Sequence, residues 1–233
     1  MRFNVSNKLQ YIKLSYDLDK NTPAPAGLGR VRIKKISDIL KGDISNVYQI
    51  SLCNHVGTHI DGPNHFNQGK PSIDKYKIGT FIFNNPAILD IPKIDGQIIL
   101  KEDLATYEEF LRIADIVMIR TGFSKIRIKN IYQYEQESPG FSANAAEYIA
   151  RGDFPNLRAL AIDSLSFASL KNIEEGIEAH RILMNEDDKD IFLIEDINLD
   201  FNLKLIKKVY VIPLFVKGFD SAHCTVFAEI NSM

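Results

Sequence analysis

The 233-residue sequence contains no tryptophan, only two cysteines and only five histidines. The cysteines, Cys53 and Cys224, lie far apart and make no disulfide framework. A reducing, cytoplasmic home is the expectation. No apolar run approaches the roughly 20 residues of a membrane span. The opening "MRFNVSNKLQYIKL" lacks the apolar segment and small-residue cleavage site of a secretory signal. There is no block of lysine or arginine, and the formal net charge is −2. Nothing therefore draws the chain to nucleic acid or to an anionic membrane. No internal repeat or Gly/Ser/Pro-rich linker divides it, so 1–233 is read as one domain. The loosest stretch, "TPAPAGLG" from Thr22, reads as a surface loop. Its Gly-x-Gly has no strand-turn-helix context and carries no nucleotide signal.

Short apolar runs of strand length recur: "YIKLSYDL", "VYQISLC", "PAILDI", "DIVMIRT", "RALAID", "DIFLIEDI", "VYVIPLFV" and "CTVFAEI". Three segments, 102–113, 142–151 and 173–185, carry helical patterns. Ser142 is placed to cap the second, and Gly152 to stop it. Strands outnumber helices and the order is mixed. That predicts a β-rich α/β chain rather than a doubly wound one.

Three of the five histidines fall in "HVGTHIDGPNH", from His55 to His65. Gly57, Thr58, Gly62 and Pro63 oppose a helix, so the segment is a poor match to a helical zinc-protease arrangement. In extended chain, His55, His59, Asp61 and His65 share one face, and Val56 and Ile60 face the other way toward a core. Extension alone leaves His55 and His59 about 13 Å apart. The chain has to bend between His55 and His59, where Gly57 could supply the bend, and a turn at Gly62-Pro63 could bring His65 back. Two imidazoles and a carboxylate suit Zn²⁺, Mn²⁺ or Fe²⁺ and leave room for water. The plainer alternative is a polar loop whose histidines only hydrogen-bond.

Farther on, "EEGIEAHRILM" puts His180 on a helix among Ile177, Leu183 and Met184, where a structural core histidine is the plain alternative. "DIFLIEDINLD" puts Glu195 inside an apolar strand, where an acid needs a partner or an ion. Asp190 and Asp196 fit the strand's start and its other face.

The first stretch resembles the H-x-G-T-H-x-D-x-P-x-H signature of the cyclase family, which includes bacterial kynurenine formamidases and isatin hydrolases. His55, Gly57, Thr58, His59, Asp61, Pro63 and His65 fill every fixed position. The His180 and Glu195 segment is similar to a second family stretch, although "NEDDKD" between them is longer than expected. "MIRTGF", "PGFSANAAEYI" and "LAIDSLSF" match more weakly, with Phe123 where relatives carry tryptophan. "GFDSAHCTVFAEI" departs most, placing His223 and Cys224 where relatives usually have Ser-Pro.

The resemblance implies the swivelling β/β/α fold and metal ligation by His55, His59, Asp61, His180 and Glu195. His65 would be the acid/base group, and Asp61 would bridge if two ions bind. The expected cofactor is a divalent metal, Zn²⁺ or Mn²⁺, one or two ions per chain. A homo-oligomer, dimer or tetramer, and a small-molecule substrate are expected. The implied activity is hydrolysis of a C–N bond in a small amide or lactam. Alternatives are a lactone or cyclic imide hydrolase of the same family, or a metal-binding protein without turnover. Cys53 could add a soft ligand, but a buried free thiol is the simpler expectation. His223 reads as a surface or pocket residue. Asp163 and Ser164 are assigned to turn hydrogen bonding.

Overall fold

The computed structural model describes residues 10–185, 189–201 and 206–230. Residues 1–9 of the segment read for a signal and 186–188 of the "NEDDKD" connection lie outside these. The described strands are β1 (Gln10–Lys13), β2 (Arg32–Ser37), β3 (Val47–Ser51), β4 (His59–Asp61), β5 (Ile82–Phe83), β6 (Pro86–Asp90) and β7 (Ile98–Ile99). They continue with β8 (Ile116–Arg120), β9 (Gly140–Phe141), β10 (Ala159–Ile162), β11 (Phe192–Glu195), β12 (Ile206–Pro213) and β13 (Ser221–Ile230). The helices are α1 (Lys101–Ala105), α2 (Glu108–Ile113), α3 (Ser124–Lys129), α4 (Ile131–Glu137), α5 (Ala143–Arg151) and α6 (Ile173–Met184). Every run expected to be a strand contributes one, and the chain is α/β and β-rich. Among the described residues no helix is long and apolar enough to cross a membrane.

One large sheet runs β5-β12-β13-β4-β11-β10-β8-β6, with β1 also on β13. Its β6, β8, β10 and β11 are parallel, and pairing turns antiparallel where β4 meets β11 and β13. Strand alternation divides the core in two. Val117, Ile119, Leu160, Ile162 and Leu193 pack with Ala145, Ile149, Ala179 and Leu183 of α5 and α6. Ile116, Met118, Ala161, Phe192, Ile194, Ile60 and Ala222 fill the opposite side. The alternation that puts Leu193 beneath the helices also puts Glu195 on that face. In register, Leu193 opposes Asp61 and Glu195 opposes His59. The ligand candidates thus lie at the edge of the helical face, where α6 closes over the sheet.

The helix expected over 102–113 is two. The run is interrupted at Tyr107, whose backbone is non-helical (φ −115°, ψ 19°) and whose hydroxyl reaches the Asp90 carbonyl at 2.7 Å. α5 is capped by Ser142 as expected, its Oγ accepting from Ala145 N at 3.3 Å, and is followed by Gly152. α3, α4 and the lysine-rich strand β2 were not expected. Cys53 is exposed, correcting the buried thiol, because it lies at the base of the exposed β2–β3 hairpin. Cys224 is buried, and both are free.

Candidate metal centre

The chain bends where the sequence requires it. Gly57 has φ 77°, a left-handed conformation that a side chain would strain, and a Cβ there would also meet Leu18 at 2.7 Å. A Cβ on Gly62 would meet Ile73 at 2.9 Å and the Asp220 carbonyl at 3.1 Å, so the backbone passes too closely for a larger residue. Pro63 then opens a short 3₁₀ turn, Pro63–His65, which returns His65 over the strand. Val56 and Ile60 are fully buried in separate clusters, as their alternation predicts.

These bends bring together all six residues singled out in the sequence. His55 Nδ1 lies 3.1 Å from Asp61 Oδ1, and His59 Nε2 lies 3.5 Å from the same oxygen. His59 Nε2 is 3.3 Å from Glu195 Oε2, and His180 Nε2 is 3.5 Å from Glu195 Oε1. Two of the clusters so formed, His55/His59/Asp61 and Asp61/His180/Glu195, share Asp61. Ligand atoms bonded at about 2.0–2.2 Å to one tetrahedral ion stand about 3.3–3.6 Å apart, close to the observed spacings.

The second nitrogen of each buried imidazole is already engaged. His59 Nδ1 donates to the Gly57 carbonyl at 2.8 Å, and His180 Nδ1 to the Gly176 carbonyl at 2.7 Å. That fixes the tautomer in which Nε2 offers a lone pair to the cluster. When His55 presents its Nδ1 lone pair, its Nε2–H donates to Ser221 Oγ, 3.1 Å away. Glu195 Oε1 accepts from the Ser166 hydroxyl at 2.8 Å and from Phe167 N–H at 2.7 Å. By contrast, His59 Nε2 and Asp61 Oδ1 are buried with no hydrogen-bond partner. Orphaned atoms of this kind call for an occupant, and a divalent cation satisfies both.

Electrostatics favour the same occupant. Asp61 and Glu195 are 1% and 3% exposed. Burying a carboxylate without compensation costs several kcal/mol, so positive charge has to accompany the pair. Burial alone would lower the His59 pKa, but Asp61 and Glu195 outweigh burial and raise it to about 9. Burial alone would raise both carboxyls, yet the facing imidazoles hold Asp61 below and Glu195 well below the usual carboxylate range.

His65 stands over the cluster, its ring 4.3 Å from that of His55. Its Nδ1 is 2.7 Å from Asp220 Oδ2. Burial works to lower the His65 pKa, but Asp220 prevails and the pKa is raised. The same contact lowers Asp220 to about 2. Asp220 was missed in the sequence, as were Ser221, Ser166 and Asn54, whose amide donates to Ser221 Oγ. No spacing rule links Asp220 to a histidine 155 positions away.

Cys53 belongs to none of the ligand clusters among the described residues. Nor does His223, which faces His59 in register across β13 and β4. Burial and the neighbouring His59 push its pKa down. Asp163 caps a turn, accepting from Thr121 N, Thr121 Oγ1 and Gly122 N at 2.6–3.0 Å. A cavity of about 440 Å³ beside Lys13, Tyr16, Pro213 and His223 touches none of the six residues. A smaller one, about 150 Å³, is lined by Ser166, Leu165, Leu170 and Ile173 and so abuts the residue that holds Glu195.

Comparison with known proteins agrees with this fold. Residues 12–169 match the family profile described as "Putative cyclase". An uncharacterized protein of Haemophilus influenzae is 35% identical over 109 residues, 47% of this chain and 76% of that one. Cyclase-like protein 1 of Arabidopsis thaliana is 26% identical over 202 residues, 84% of this chain and 74% of that one. Among solved structures, isatin hydrolase A from Labrenzia aggregata, bound to benzyl benzoate, superposes with a TM-score of 0.80 at 21% identity, covering 96% of this chain and 94% of that one. A potential metal-dependent hydrolase with cyclase activity superposes with a TM-score of 0.73 at 19% identity, covering 97% and 100%.

Proposed function

The chain belongs to the Cyclase family, and from that premise we propose that it is a metal-dependent hydrolase of a C–N bond in a small amide or lactam. The observation that carries this reading is the pair of orphaned atoms, His59 Nε2 and Asp61 Oδ1, facing each other in a buried cluster. His55, His59, Asp61, His180 and Glu195 would hold Zn²⁺ or Mn²⁺. Bound there, a divalent ion supplies Lewis acidity toward a carbonyl oxygen and lowers the pKa of nearby water.

The residues of the chain do the rest. Gly57 and Gly176 carbonyls orient His59 and His180, and Ser166 and Phe167 orient Glu195. Asp220 holds the His65 ring by Nδ1, which leaves Nε2 for the substrate. Cleavage of an amide moves water's oxygen to the carbonyl carbon and a proton to the departing nitrogen. Nitrogen leaves poorly without that proton, and His65, whose proton Asp220 makes harder to lose, would give it.

We also infer a homo-oligomer. Ile33, Tyr48 and Ile50 share one face of the β2–β3 hairpin and are 46–55% exposed. A lone two-stranded hairpin is marginal in water, so this face needs a cover. Residues 30–51 hold five Lys/Arg and two Asp, net +3, which leaves −5 on the rest of a chain of −2. A second copy offers the complementary charge.

A screen of formyl-anilide, isatin and lactone substrates with Zn²⁺ or Mn²⁺ tests the activity. Metal-dependent turnover of an amide or lactam is expected. Turnover of lactones alone, or none with metal bound, would overturn the C–N reading.

A further inference from the structure

Asp196 is the one non-glycine residue at positive φ among the described residues, at 52°, and it directly follows Glu195. Aspartate tolerates this region better than most residues, but the conformation persists only where the surroundings hold it. Here they do. Arg127 of α3 forks onto the carboxylate, Nε to Oδ1 at 2.6 Å and Nη2 to Oδ2 at 2.7 Å. The Tyr134 hydroxyl of α4 donates to Oδ1 at 2.8 Å. Asp196 is fully buried, and the Arg127 guanidinium lies 3.6 Å above the Tyr16 ring.

The backbone of Asp196 is tied to the other ligand strand. Its carbonyl accepts from Thr58 Oγ1 at 2.6 Å, and Thr58 Oγ1 in turn accepts from Tyr16 N–H at 3.0 Å. Thr58 immediately precedes His59. The bond therefore joins the residue before one ligand candidate to the residue after another, just where His59 and Glu195 stand opposite in register. Burying an ion pair is a poor route to stability, since well-packed apolar residues often do as well. What a forked, buried pair provides is fixed geometry.

We propose that the Arg127–Asp196 pair, acting through the Asp196 backbone and Thr58, positions Glu195 and His59 for the metal. The proposal rests on the cluster being a metal site. Arg127 touches no ligand atom, and it is a positioning residue.

The test compares the parent with an Arg127→Met/Asp196→Asn double variant, which removes both charges and keeps a residue that tolerates positive φ. Arg127→Lys is the conservative partner. Zn²⁺ and Mn²⁺ affinities are measured by chelator competition on samples shown to be folded, alongside melting of the metal-free proteins. The double variant should bind metal about 10- to 100-fold more weakly, with Arg127→Lys between it and the parent. A folded double variant with parental affinity, even one that melts earlier, overturns the proposal, because that is the signature of a merely structural pair. If the double variant does not fold, Tyr134→Phe decides: it should weaken affinity severalfold, and unchanged affinity overturns the proposal. A parent that binds no metal would instead refute the metal site itself.

Discussion

The Nδ1 of His65 lies 2.7 Å from Asp220 Oδ2, joining the end of the histidine cluster to the start of β13. The contact makes His65 an oriented imidazole with a raised pKa. His65→Ala should keep near-parental metal and lose roughly 10²- to 10⁴-fold in rate. His59→Ala should lose both. Metal analysis of the dialysed variants with hydrolysis assays separates the two roles; loss of metal from His65→Ala equal to that from His59→Ala would make His65 a ligand.

Asp220→Asn removes the anion that raises the His65 pKa. The protonated ring should then be lost at lower pH, so the alkaline limb of the rate profile moves down in pH. A pH–rate profile on the two proteins checks this. An unshifted limb would assign the proton to another group.

Metal and proton compete at His59. Its metal-free pKa of about 9 lies above the ordinary 6.5, higher than the sequence alone leads one to expect. Below about pH 9 an incoming ion displaces that proton, so affinity should climb roughly tenfold per pH unit for this one proton and then level. Calorimetry in buffers of different ionisation enthalpy should show at least one proton released near neutral pH. For metal-free stability the sign is opposite: a raised pKa in the folded state gives stability that is full below 6.5 and lost as pH rises through 9. The metal-free protein should therefore lose this stabilisation toward pH 9.

Gly57→Ala forces a left-handed alanine and a Cβ 2.7 Å from Leu18. It should cost at least about 1–2 kcal/mol and lower metal content as His55 and His59 separate. Chemical denaturation and metal analysis would show both, and a variant with parental metal content would mean the bend is not needed.

His55, His59 and Asp61 were legible as candidates because their logic is local: odd-numbered spacing on an extended strand, and glycines where the chain turns; His180 entered the ligand set only through the family resemblance. Glu195 was legible as an acid in an apolar strand. What escaped depends on contacts that spacing does not encode. Asp220 meets His65 only through the pairing of β13 with β4. Arg127 lies on a short helix whose "SKIRIK" pattern is too brief to read, and its partner Asp196 read as the other face of the Glu195 strand. Strand β2 was hidden by its lysines, and with it the exposure of Cys53. The 102–113 helix is interrupted at the non-helical Tyr107, which periodicity does not register.

Asp61 is common to the His55/His59/Asp61 and Asp61/His180/Glu195 clusters, so one substitution tests the central claim. Metal content should be measured on the parent and on Asp61→Asn, purified alike and shown to be folded, with hydrolysis followed on the same samples. We predict one or two ions per chain and metal-dependent turnover in the parent, and neither in Asp61→Asn. A folded Asp61→Asn with full metal occupancy would contradict the account.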